Sequence, residues 1–322
     1  LLWGDIVIDV PPDSQVHKQV VRKRAEVRDI KMDPAIRLHY CVVEEPDMHN
    51  PLGDFERLSL ALADQWGLDD LEEIDIRVLR SLQEALRKGE WAVTVAVHRS
   101  TRITAVWPGL IDHAYGIAFD IGSTTIAAHL CDLASGEVVN SGGVMNPQIR
   151  FGEDLMSRVS YIMMNPGGEV DLTESVRTAI NDLAHDVINE VNVRADSVLN
   201  ITVVGNPIMH HLFLGINPIE LGGAPFALSS NSGMTLWATE VDIDSVNPDA
   251  RVYFLPCIAG HVGSDTAGVI LSEEPHLRNE MTLIVDVGTN AEIILGNRTQ
   301  LLAASSPTGP AFEGAQISCG QR

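Results

Sequence analysis

Phe119-Asp120-Ile121-Gly122-Ser123-Thr124-Thr125 and, much later, Val285-Asp286-Val287-Gly288-Thr289-Asn290 are two versions of one turn. In each, an apolar run (Gly116 to Phe119, Leu283 to Val285) predicts a buried strand, and the Gly lets the backbone turn where a side chain would obstruct it. Such a turn presents backbone N–H groups to a phosphate. The Asp at the strand end is placed to hold magnesium through water, and the Ser and Thr hydroxyls add hydrogen bonds to phosphate oxygens.

The copies agree beyond the turn. Ile126 to Leu133, an Ala134-Ser135-Gly136-Glu137 turn and Val138 to Ser141 follow the first; Ala291 to Leu295, a Gly296-Asn297-Arg298 turn and Thr299 to Ala303 follow the second. Each reads as a three-stranded meander with the phosphate-type turn between strands one and two. One Asp-x-Gly-hydroxyl sequence is ordinary turn chemistry. Two in matching meanders imply related half-domains that face each other, each lending a loop to a nucleotide in the cleft between them.

The 322 residues, 45% of them hydrophobic, suffice for two or three domains with a sizeable core. A formal charge of −22 argues against a nucleic-acid surface, which needs clustered Lys and Arg. No apolar run approaches the ~20 residues that cross a bilayer, so the expectation is a soluble, cytoplasmic protein with no membrane contact. The four cysteines, Cys41, Cys131, Cys257 and Cys319, stand far apart without a Cys-x-x-Cys pair. They are expected to be small buried hydrophobes in a reducing compartment.

Along the chain, residues 1–27 read as a connector. Residues 28–110 form a small α+β domain: a strand from Ala35 to Val43, helices at Asp54 to Gln65 and Ile76 to Arg87, and a hairpin from Trp91 to Val97 and Thr101 to Trp107. From 114 to 322 the pattern is α/β. Helices are predicted at Gly152 to Met164, with Met163 and Met164 in the core, and from Thr173, as a cap, to Val191. Strands at Leu199 to Val204 and Val252 to Leu255 are each followed by a helix. The first of these carries His210 and His211, which as helix neighbours point apart and make a poor metal site. Meander, helix, strand, helix, strand is the order of a ribonuclease-H-like half-domain.

At these residues the chain resembles the superfamily of acetate and sugar kinases, heat-shock chaperones and actin ATPases. Phe119 to Thr125 looks like its first phosphate motif, Ile284 to Ile293 like its second, and Gly260 to Ile270 like its connecting helix. More particularly, Asn146-Pro147-Gln148 with Phe151-Gly152-Glu153-Asp154 and Ser157-Arg158-Val159 resembles the reductive activators of corrinoid proteins. Val204-Gly205-Asn206 with Met209-His210, and Ser306 to Ala315, do so as well. The resemblance implies an actin-like ATPase domain with an incomplete second half, preceded by the small middle domain. It implies ATP and magnesium, and an electron passed to the Co(II) of a corrinoid protein partner from a [2Fe–2S] ferredoxin domain. That domain would lie ahead of Leu1, and an adenosine-binding glycine motif beyond Arg322, making the chain an internal fragment.

On that resemblance, Asp120 and Asp286 hold magnesium through water. Ser123, Thr124, Thr125, Thr289 and Asn290 serve the phosphates, with the backbone of Gly122 and Gly288. Ser264 and Asp265, at a helix N-terminus, either orient the attacking water or simply cap the helix. An electron donor to the ferredoxin domain and a homodimer belong to the same picture. The alternatives are an activator of 2-hydroxyacyl-CoA dehydratases, which needs cluster cysteines in the ATPase domain, a small-molecule kinase with Asp265 as base, and a degenerate actin-like binding module. The Gly309 to Gly314 loop, rich in small residues, suits either close approach to a ligand or a tight structural turn.

Overall fold

Alternating apolar residues from 92 to 108 build the centre of the first unit. The computed structural model describes residues 32–71 and 73–308; the connector at 1–27, the Gly309 to Gly314 loop and Cys319 lie outside them. β1 (Ile36–Val42), α1 (Asp54–Trp66), β2 (Glu73–Ile74), α2 (Ile76–Lys88), β3 (Ala92–His98) and β4 (Arg102–Pro108) follow in order. The strands form one sheet in the order β1-β3-β4-β2. Asp75 caps α2 by accepting from the Arg77 N–H at 3.1 Å, and Val78, Leu82, Ala85 and Leu86 face the sheet at helical spacing. They share a core with Leu58, Leu62, Val93, Val95 and Val97. Burial of each of these Val and Leu side chains is worth about 1.5–3 kcal/mol.

The second unit is built on β5 (Tyr115–Ile121), β6 (Thr125–Asp132), β7 (Val138–Met145), β8 (Val198–Gly205), β9 (Met234–Trp237) and β10 (Arg251–Phe254). Their order is β7-β6-β5-β8-β10-β9. β8 lies parallel to β5 and to β10, while β9 closes the edge antiparallel. This is the ribonuclease-H-like arrangement expected from the element order. The helices are α3 (Leu155–Met164), α4 (Gly168–Asn189), α5 (Pro207–Leu214) and α6 (Ser264–Glu273). Along α4, Leu172, Val176, Ile180, Leu183 and Val187 are buried in the core that Ile117, Phe119, Ile126 and Ile201 build from the sheet. The second meander is β11 (Thr282–Val287), β12 (Asn290–Asn297) and β13 (Gln300–Pro307), a separate antiparallel sheet. Among the described residues no helix layer covers it as α4 covers β5–β7, and Leu283 and Leu302 stand 62% and 57% exposed.

Several helix expectations need correction. α3 begins at Leu155, not Gly152, because Asp154 and Ser157 form a reciprocal capping box. α4 begins at Gly168, after Gly167 turns the chain with a φ of 89°. Thr173 therefore lies inside the helix and caps nothing; its hydroxyl donates to the Leu212 carbonyl at 2.6 Å and so ties α4 to the end of α5. Met163 and Met164 are exposed, at 63% and 75%, because Val159 and Ile162 fill the inward face of a helix that ends at once. β9, in a Ser- and Gly-rich stretch, had no counterpart in the sequence reading.

The two units meet on a shared apolar cluster of Ile36, Ala96, Ala105 and Trp107 with Ala114 and Leu199. A polar seam runs beside it. Arg77 donates to the Pro248 carbonyl at 2.9 Å and to Asp249 at 3.3 Å. Arg251 lies over the Trp237 ring at 3.3 Å, with Arg77 against the same ring at 4.8 Å.

Candidate nucleotide site

The two Asp-Gly turns come together. Thr124 and Thr289, 165 residues apart in sequence, place their hydroxyl oxygens 3.2 Å from each other. Asp120 precedes the first turn near the end of β5, and Asp286 precedes the second near the end of β11. The turns differ in length: Ile121 pairs with Ile126 but Val287 pairs with Ala291, so the first holds one residue more. Counted back from the following strand, Thr124 and Thr289 are equivalent. The contact is thus one between matching positions of the two copies.

Gly122 is required by close approach. A Cβ there would stand 2.6 Å from the Thr125 carbonyl, which accepts from the Gly122 N–H at 2.9 Å. The carbonyls of this turn are drawn inward. The Asn146 side-chain amide donates to Gly122 O at 2.8 Å, its backbone N–H donates to Thr124 O at 2.8 Å, and Arg158 Nη2 donates to Ser123 O. Arg158 is fully buried, and its remaining donors reach Gly152 O at 3.0 Å and Gln148 Oε1 at 3.2 Å.

α6 starts beside these strand ends. A Cβ on Gly263 would stand 2.5 Å from Gly205 O, so only glycine lets the helix begin so near β8. Ser264 is buried, accepting from the Gly205 N–H and donating to the Gly205 carbonyl, both at 3.0 Å. Its hydroxyl is thereby engaged in fastening the helix. Asp265 is not the cap, which falls at Gly263. Burial pushes its carboxyl up to about 7, against the Thr266 N–H that lowers it, and the negative charges of Glu292, Asp120 and Asp286 raise it further. Four carboxylates therefore share this region. Glu292, absent from the sequence reading, is buried, stands directly across from Asp286 in the β11–β12 register and accepts from Ser305 at 3.1 Å. Its place opposite Asp286 across the tight turn of the meander was the signal that could have found it.

Models of one protein family cover nearly the whole of the described chain. The RACo linker region matches residues 25–113, the RACo middle region 115–278, and the C-terminal domain of RACo, the ASKHA domain, 280–322. The chain belongs to the RACo family. Similar proteins include RamQ, a corrinoid activation enzyme of Eubacterium limosum, 35% identical over 65% of this chain. A [Co(II) methylated amine-specific corrinoid protein] reductase of Methanosarcina barkeri is 28% identical over 64% of it. Among solved structures, a reductive activator for corrinoid, iron-sulfur protein matches 97% of the chain with a TM-score of 0.82 at 30% identity. The chain spans 35% and 38% of the length of those curated relatives and 52% of that solved structure. Family and fold together give the actin-like α/β architecture.

The remaining polar candidates have structural posts in this RACo chain. His211 donates from Nδ1 to the Pro207 carbonyl at 2.8 Å and accepts at Nε2 from the Ser229 N–H at 3.1 Å, which fixes it as neutral. His210 packs edge-on to Phe254. The two imidazoles do not point apart as expected, since their Nδ1 atoms lie 3.5 Å from each other. His261 rests on Phe226, with ring centroids 4.2 Å apart. Cys41 and Cys257 are buried, with thiols pushed by burial to about 12 and about 11, while Cys131 is partly exposed.

Proposed function

We propose that this chain forms the ATP-handling part of a reductive activator that returns a corrinoid protein from Co(II) to Co(I). The observation that carries the reading is the meeting of the two Asp-Gly turns at Thr124 and Thr289. The reading is supported by that contact between two Asp-Gly turns, each following a strand-end aspartate, in a chain of the RACo family.

Asp120 and Asp286 supply the carboxylates for magnesium. They fit it in the manner that ion prefers, through one or two carboxylates, waters and substrate phosphates. No group of three or more His, Cys, Asp or Glu able to hold a metal directly occurs among the described residues. Magnesium, when bound, supplies charge neutralisation between the phosphates. Ser123, Thr124, Thr125, Thr289 and Asn290 donate to phosphate oxygens, with the N–H groups following Gly122 and Gly288. Asp265 takes the proton of the attacking water; we assign Ser264 to holding α6, since both of its hydrogen bonds go to Gly205.

Hydrolysis converts ATP and water to ADP and phosphate, while one electron from a separate donor converts Co(II) to Co(I). The two are coupled if ATP and ADP prefer different separations of the turns, because a ligand shifts a conformational equilibrium only by its preference for one state. Cys41, Cys131 and Cys257 do not fit an iron–sulfur cluster, being isolated and protonated, so no electron step is routed through them. Residues 28–110 serve as a firm support for the 114–322 unit. The test is anaerobic reduction of a Co(II) corrinoid protein by a low-potential one-electron donor, with and without ATP. ATP-dependent cobalt reduction supports the reading; phosphate transfer to a metabolite with no reduction would end it.

A further inference from the structure

The residue that follows each meander is wired back to its own turn in the same way. Asn146 comes directly after β7 and Thr308 directly after β13. Asn146 donates through its backbone N–H to Thr124 O at 2.8 Å and through its side chain to Gly122 O at 2.8 Å. Thr308 donates through its backbone N–H to Thr289 O at 3.2 Å and through its hydroxyl to Gly288 O at 2.6 Å. The same hydroxyl lies 3.1 Å from Thr289 O. Both residues therefore grip the carbonyl of the motif glycine and the carbonyl just before the second strand. An amide does this in one copy and a hydroxyl in the other. The amide of Asn146 is oriented unambiguously, because its oxygen accepts from the Gln148 N–H at 3.0 Å.

A peptide unit is planar and trans, so its C=O and its N–H point in opposite directions. Drawing Gly122 O back toward Asn146 turns the Ser123 N–H away from Asn146. Drawing Gly288 O toward Thr308 does the same for the Thr289 N–H. Arg158, by holding Ser123 O, turns the Thr124 N–H away from its own guanidinium. The hydroxyls of Thr124 and Thr289 mark the direction in which each turn faces the other. Two successive N–H groups freed on the first turn and one on the turn that faces it suit an anion between them.

We propose that Asn146 and Thr308 are equivalent positioning residues, which hold the two turns in the amide-outward form that receives the phosphate chain of the nucleotide. This rests on the phosphate-clamp reading above. Neither residue touches phosphate. Each acts through the carbonyl it restrains, and its loss lets the peptide rotate and withdraw an N–H from the site.

The test uses the full chain and magnesium tripolyphosphate as probe, since that ligand reports on the phosphate side alone. Thr308→Val removes the hydroxyl donor and keeps both shape and the backbone hydrogen bond; Thr308→Ser restores the donor. Calorimetric titration is expected to show tripolyphosphate affinity falling about five- to tenfold in Thr308→Val, the scale of one lost hydrogen bond, and within about twofold of wild type in Thr308→Ser. Thermal melting should not separate the two variants by more than a few degrees. Asn146→Thr, which installs the second copy's hydroxyl in the first, is expected to bind better than Asn146→Ala. Wild-type binding with Thr308→Val equally tight overturns the positioning role and leaves the phosphate clamp standing. No binding by wild type overturns both.

Discussion

Thr124 and Thr289 touch through their hydroxyl oxygens at 3.2 Å, and each is the last residue before the second strand of its own meander. The contact joins matching positions of the two copies. A bound phosphate chain must come between these hydroxyls or replace one of their hydrogen bonds. Thr124→Val and Thr289→Val should each weaken Mg·ATP binding by about three- to tenfold, one hydrogen bond apiece. The double variant should lose less than the product of the two, because paired residues are not additive. Fluorescent-nucleotide displacement measures all three.

Arg158 lies at 0% exposure with its guanidinium shared among Gly152 O, Gln148 Oε1 and Ser123 O. Arg158→Met strands these acceptors in the interior. The expected cost is about 3 kcal/mol or more in urea unfolding, with Arg158→Lys recovering part of it.

Asp265 carries a carboxyl raised from 3.8 to about 7, burial being the largest cause. The folded chain thus holds this proton more tightly than the unfolded chain, and the group's contribution to stability declines as pH rises from about 4 to about 7. Above that window the buried charge costs at most about 4 kcal/mol, and Asp265→Asn should remove the decline. Hydrolysis runs in the opposite sense. A base must be unprotonated, so the rate should climb through pH 7, and Asp265→Asn should lower kcat by about a hundredfold or more while leaving ATP affinity close to wild type. Urea unfolding at pH 5 and pH 8, together with a pH–rate profile, reads both effects.

The seam between the two units rests on Trp237, with Arg251 and Arg77 against its ring. Trp237→Ala should cost about 1–2 kcal/mol from the lost cation–π contacts. It should also loosen residues 32–108 from the larger sheet, seen as faster hydrogen exchange at Leu199 and Ala114.

All but the short strands β2 and β9 were legible, because their signals are local. Alternation from 92 to 108 and the twin Asp-Gly turns each specify an element without help from distant residues, and the order of strands and helices along the chain pointed to the fold class. The site was legible as far as its turns. Asn146 and Arg158 stood within a recognised motif, but their purpose depends on carbonyl directions that no spacing encodes. Glu292 drew no notice, since a carboxylate on a strand of a meander looks like surface; Thr308 stood within a recognised stretch, but its purpose too depends on carbonyl directions. Met163 and Met164 were misread for a related reason: helical period shows which side is apolar, and only packing shows where the neighbour stops. The α4 start was misplaced because a threonine was preferred over the glycine that makes the turn.

Asp120 and Asp286, one before each of the facing turns, are proposed to form one magnesium–phosphate clamp. Calorimetric titration of Mg·ATP into the wild-type chain and into Asp120→Asn and Asp286→Asn tests it directly. Wild-type binding should depend on magnesium, and each variant, from opposite copies of the motif, should lose about tenfold or more. Equal, magnesium-independent affinity in all three chains would contradict it.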